Sequence, residues 1–247
     1  MNFRFFLINI FFIASLLNSQ VIYRDTINQY AIKLSRSGNV YNLSIYSKNK
    51  TIFQKTYSYP KLFFYNLDDN EFDELILLDR RVLLNNQTNN LDTLNKLYVF
   101  TFWPKFEFCD SLELGRYYPE FIQYDPEKNF FVKIYDSRIE QEFPSKISDL
   151  PFIIYELQEN ILIPNNSDSM DDYEMEIEFL TDELKDLLRI FDCNDFEMRN
   201  DVQRLIATIC CNAYYSGITG NFDDFVKTNY KCDDQLDFLT RLKKLIE

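Results

Sequence analysis

Two hydrophobic periods follow one another along this 247-residue chain, and the change between them limits the fold more than any other feature. Up to about residue 163 apolar positions alternate with polar ones, as in Tyr30-Ala31-Ile32-Lys33-Leu34-Ser35 and Val40-Tyr41-Asn42-Leu43-Ser44-Ile45-Tyr46. That is the period of a strand with one face buried, and Ser37-Gly38-Asn39 between the two runs reads as a hairpin turn. Further strands are expected at Thr51 to Tyr57, Lys61 to Tyr65, Glu74 to Leu78, Lys96 to Phe102, Phe121 to Tyr124, Phe130 to Tyr135 and Phe152 to Leu157. Beyond residue 172 the spacing becomes helical, through Ile177, Leu180, Leu184, Leu187 and Leu188, then Val202, Leu205, Ile206 and Ile209, then Leu236, Leu239, Leu242 and Leu245. Thr181 with Asp182 and Glu183, and Asp233 with Asp234, place acid at expected helix starts. The expected fold class is α+β: an N-terminal antiparallel β-rich unit over 20–163, meander or propeller-like, an acidic linker over 164–172, and a small C-terminal α-helical unit over 173–247.

Residues 1–19 have the plan of a cleavable secretory signal. Arg4 precedes an apolar run from Phe5 to Ala14, and Ser19 suits the position before a cleavage site. The run is shorter than the roughly 20 residues that a spanning helix requires, and no later apolar run is long enough to cross a membrane. The mature chain is therefore expected to be secreted or periplasmic, with no membrane span after cleavage. Its formal charge is −13, becoming −14 once Arg4 leaves with the signal. Such a balance repels phosphate backbones and excludes nucleic acid as an expected partner.

Four of the five cysteines, Cys193, Cys210, Cys211 and Cys232, fall in the C-terminal quarter, whereas Cys109 stands apart. In an oxidising compartment these four are disulfide candidates. On a helix Cys210 and Cys211 point about 100° apart, so each needs its own partner or one stays free. The expected pairing is Cys193 with Cys210 or Cys211, and Cys232 with the other. With no histidine in the chain a zinc site would need thiolates and carboxylates alone, and the disulfide reading is preferred.

The local motif richest in oxygen is Asn66-Leu67-Asp68-Asp69-Asn70-Glu71-Phe72-Asp73-Glu74, which runs into the strand beginning at Glu74. Side-chain oxygens from Asn66, Asp68, Asn70 and Glu74 and the carbonyl of Phe72 could wrap a hard cation, and calcium is the one cofactor the sequence suggests. Over about twelve residues the motif resembles the calcium loops of FG-GAP or VCBS repeats in integrin-like β-propellers, with Glu71 where that family has glycine. A polar β-turn capped by Asp and Asn is the alternative. The order of parts, with Tyr214-Tyr215-Ser216-Gly217 in the helical tail, resembles uncharacterised exported bacterial proteins that carry a single propeller-like loop before a helical tail. The tail alone, Cys211 to Gly217 flanked by Cys193 and Cys232, is also similar to immunity proteins that block type VI secreted amidases, with Ala213 where those tend to carry glycine.

Most catalytic constellations are missing. Without histidine there is no Ser-His or Cys-His pair and no HExxH zinc site, and four glycines cannot supply a phosphate-binding loop. Paired carboxylates remain open to a hydrolase. Phe100, Phe102, Trp103, Phe106, Phe108, Tyr117 and Tyr118 could stack on sugars or receive a protein, although their alternation suits ordinary half-buried strands. The function expected is that of an exported, non-catalytic binding or interaction protein whose partner is a protein or glycan of the cell envelope. The alternatives are an immunity-type inhibitor of a secreted cell-wall hydrolase and a carboxylate-dependent secreted hydrolase.

Overall fold

The computed structural model describes residues 19–68, 70, 72–85, 90–126, 129–165, 169–218 and 220–246, so the expected signal segment up to residue 18 lies outside the described residues. The fold is α+β, with antiparallel strands first and helices after them. Among the described residues twelve strands form three four-stranded sheets, and none closes into a barrel. The first sheet has β1 (Gln20–Ile27), β2 (Tyr30–Ser37), β3 (Val40–Ser47) and β4 (Lys50–Tyr57) in chain order. The second has β5 (Pro60–Tyr65), β6 (Glu74–Asn85), β7 (Asn90–Thr101) and β8 (Glu107–Gly115), and the third β9 (Glu120–Ile122), β10 (Phe131–Tyr135), β11 (Phe152–Gln158) and β12 (Ile161–Pro164). Each is a meander, as the alternation predicts. The helices are α1 (Arg138–Glu142), α2 (Met170–Leu188), α3 (Phe196–Tyr215), α4 (Phe222–Asn229) and α5 (Gln235–Ile246).

The tight hairpins show how a glycine-poor chain turns. Of the two-residue turns whose twist matches the strands, the type I′ turn needs positive φ at both central positions. Lys48 and Asn49 (φ 49° and 64°) supply this between Ser47 and Lys50, and Glu159 and Asn160 (φ 49° and 66°) between Gln158 and Ile161. Asparagine tolerates the left-handed region, and here it does what glycine does in most hairpins.

By mutual contact the described residues fall into two compact units, drawn from Met1–Asn66 with Asn70–Glu113 and from Leu67–Asp69 with Leu114–Glu247. In the first, Tyr30, Ile32, Leu34, Leu43 and Ile45 meet Leu75, Leu77, Tyr98 and Phe100 in one core. In the second, the third sheet and the helices are joined. Phe152 of β11 stacks on Tyr173 of α2, with ring centroids 4.7 Å apart, and its N–H donates to Asn212 Oδ1 of α3 at 3.0 Å. The amide of Ile154 donates to the Tyr173 hydroxyl at 3.2 Å. The division thus falls near Glu113, well ahead of the 164–172 segment. The change of hydrophobic period marks where helices replace strands, and those helices bury one face of β9 to β12 within the second unit.

Helix α3 is the centre of the second unit, buried continuously from Val202 to Asn212. Asp195 caps it by accepting from the backbone N–H groups of Glu197 and Met198. Helix α2 begins at Met170, with Asp171 and Asp172 in its first turn, so Thr181 lies within the helix and does not start it. The disulfide joins Cys193 to Cys232, which corrects the expected pairing. Both cysteines sit just outside helix ends, where their Cα atoms approach to 5.5 Å. Cys210 and Cys211 are instead buried thiols within α3, acting as small apolar core residues.

Candidate functional site

A cleft of about 290 Å³ opens in the second unit, between the third sheet, the loop after α1 and helix α2. Its walls are Tyr117, Lys133, Tyr135, Asp149, Phe152 and Glu176. Strand periodicity supplies part of this set, since Lys133 and Tyr135 are two apart on β10 and share a face. Across the ladder Lys133 is opposite Glu120 and Tyr135 opposite Phe152. Helix α2 adds Glu176 one turn beyond Tyr173, whose ring is fixed on Phe152. Asp149 comes from an irregular segment, and that segment is tied down from below. Arg204 of α3, 1% exposed, donates from Nε to the Asp149 carbonyl at 3.1 Å and from Nη1 to the Phe143 carbonyl at 2.9 Å. Asp201 accepts from Ser145 Oγ and from the Lys146 amide.

The charges in the cleft are unevenly committed. Lys133 Nζ lies 4.0 Å from the centroid of the Phe152 ring and 3.9 Å from Glu120 Oε2. Tyr135 donates its hydroxyl to Glu120 Oε1 at 2.7 Å. Among the described residues neither the Asp149 nor the Glu176 carboxylate makes a hydrogen bond or an ion pair. Burial pushes the Glu176 carboxyl above its ordinary range, and the negative charges of Asp149 and Glu183 add to this while Lys133 opposes it. Lys133 and Glu176 therefore feel each other's field without closing an ion pair. Burial also raises the Tyr117 and Tyr135 hydroxyls, each of which then donates to a glutamate, Glu140 and Glu120 respectively. Mixed-sign charge beside three aromatic rings can hold a polar ligand in a fixed orientation.

The oxygen-rich loop gives a divided picture. Asn66 Oδ1 is buried with no hydrogen-bond partner among the described residues, and Glu74 is fully buried, 3.4 Å from Thr101 Oγ1. Both would fit a cation's need for oxygen. Asn70, however, uses its oxygens within the turn: its carbonyl accepts from Asn66 Nδ2 and its Oδ1 from the Phe72 amide. Asp68 is half-buried and Phe72 stacks on Trp103 at 5.2 Å, while Asp69 and Glu71 lie outside the described residues. No group of three or more His, Cys, Asp or Glu placed to hold a metal occurs among the described residues.

The aromatic set splits in the same way. Phe100 and Phe102 are core and Phe106 packs against them, Trp103, Phe108 and Tyr118 are exposed, and Tyr117 lines the cleft. In the tail, Cys211 and Ser216 are buried and Tyr214 is half exposed. A second pocket, of about 470 Å³, lies among α2, α3 and α4 and is walled mainly by Ile177, Ile209, Cys210, Phe222 and Phe225. No helix among the described residues is long and apolar enough to cross a membrane. Comparison with protein-family models, with curated proteins and with solved structures finds no match to this chain.

Proposed function

We propose that the protein is an exported, non-catalytic binding protein of the cell envelope, and that the cleft of the second unit receives its partner. The observation that carries this reading is the pair of uncommitted carboxylates, Asp149 and Glu176, facing Lys133 between the rings of Tyr117, Tyr135 and Phe152. Partly buried carboxylates without a partner among the described residues stand ready to pair with a cationic group of a ligand. The Cys193–Cys232 disulfide supports the export part, because such bonds persist in oxidising compartments. Lack of histidine favours binding over catalysis. Ser148 is exposed at the cleft rim, so Ser148→Trp blocks the entrance without disturbing the core. The purified protein is expected to be retained by envelope extracts, with Ser148→Trp weakening retention at least about tenfold at an unchanged melting temperature. Equal retention of both proteins would place the partner elsewhere.

A carboxylate-dependent hydrolase is the second reading, favoured by one observation: two carboxyls share the cleft and the environment of Glu176 raises it toward the range of a proton donor. Release of soluble fragments from envelope glycan, lost in Glu176→Gln, would establish it in place of the binding reading.

A further inference from the structure

We infer that the cleft recognises the zwitterionic head of an α-amino acid, its carboxylate on Lys133 and its ammonium between Asp149 and Glu176, an assignment that rests on the cleft being the binding site. The arrangement of charge carries it. A purely acidic pocket would take any cation and a lone lysine any anion, but here both signs line one cavity of about 290 Å³. They are close enough for Lys133 to influence Glu176, yet no ion pair forms between them. A ligand carrying both charges on one carbon satisfies both signs at once, whereas a ligand with one charge leaves the other side desolvated and unpaired. Lys133 is held in place over the Phe152 ring and by Glu120 on the neighbouring strand, so its charge is preorganised. The backbone that carries Asp149 is anchored by the bond from the buried Arg204 to its carbonyl, while its carboxylate stays unengaged by the described residues. Tyr117 and Phe152 offer apolar surface for the side chain of such a ligand, and the rim at Ser148 leaves room for the rest of a peptide. The same head occurs in free amino acids and at the tip of a diamino-acid side chain in envelope peptides.

Isothermal titration of the full mature, disulfide-intact protein tests this with the common α-amino acids in both L and D forms, with their N-acetyl and amide derivatives, and with a short peptide ending in meso-diaminopimelate. At least one intact zwitterion is expected to bind, with acetylation or amidation each weakening it about tenfold or more. Lys133→Met is expected to lose the preference for acid over amide while keeping the preference for amine over acetamide, and Glu176→Gln to show the converse. Each variant is compared with itself across ligands, so a general loss of stability cannot imitate this crossed pattern, and if a variant fails to fold the wild-type series decides alone. Binding of the peptide but of no free amino acid assigns the displayed head as the source. The inference is overturned if the three forms bind equally, or if none binds at about 10 mM, where a millimolar Kd would register. Retention on envelope extracts that Ser148→Trp still abolishes would then leave the broader binding proposal standing.

Discussion

Arg204→Ala is expected to destabilise the protein by about 3–5 kcal/mol, the largest effect of any single substitution considered. The side chain is 1% exposed on the central helix, and burial lowers its pKa despite the opposing field of Glu140. Its nearest carboxylate oxygen, on Glu140, is 3.9 Å away, so the guanidinium is held chiefly by the carbonyls of Phe143 and Asp149. Truncation removes the donors for one buried and one partly buried carbonyl and opens a cavity beside Phe143, and both penalties add. Arg204→Lys is expected to rescue only part, because an ammonium cannot span two carbonyls as the planar fork does. Chemical denaturation checks this: the midpoint should fall with the slope unchanged, and the lysine variant should lie between wild type and alanine. A loss below about 1 kcal/mol would mean that the 143–149 segment does not depend on this residue.

Removing the Cys193–Cys232 bond is expected to cost about 4 kcal/mol, the loop-closure value for a separation of 39 residues. The bond ties the segment before α3 to the segment before α5, and both helices contribute to the core of the second unit. The double Cys193→Ser, Cys232→Ser variant should therefore melt at a lower temperature, and reduction of the wild type should reproduce the shift. Non-reducing peptide mapping should yield the 193–232 linked peptide, with Cys210 and Cys211 unmodified until the protein unfolds. Burial pushes the Cys210 thiol well above its ordinary range and Cys211 up to about 12, so neither forms a reactive thiolate near neutrality. A peptide linking Cys193 or Cys232 to Cys210 or Cys211 would restore the pairing expected from sequence.

The regular elements were legible because their cause is local. Alternation over Tyr30 to Tyr46 reflects which face the strands bury, while helical spacing over Val202 to Ile209 marks a helix whose intervening residues are buried as well. Helix α2 starts at Met170, ahead of Thr181, because Asp171 and Asp172 put acid in its first turn, and Thr181-Asp182-Glu183 repeats that composition inside the helix. The unit boundary was hidden for a different reason. Whether β11 shares a core with β7 or with α3 depends on pairing between segments far apart in sequence, and alternation reads the same in both cases. The disulfide was misread because adjacent cysteines look available in a list, whereas position in the middle of a buried helix decides that Cys210 and Cys211 are not. The cleft left no sequence signal, since Tyr117, Lys133, Asp149 and Glu176 each stand alone in different elements.

Backbone chemical-shift mapping with solubilised envelope peptidoglycan fragments shows whether the cleft of the second unit is where this protein meets its partner. The largest shifts are expected on the amides of Tyr117, Lys133, Tyr135, Ser148, Asp149 and Glu176, and they are expected to vanish in Ser148→Trp. Shifts confined to the exposed aromatics Trp103 and Phe108, or to the pocket among α2, α3 and α4, would contradict it.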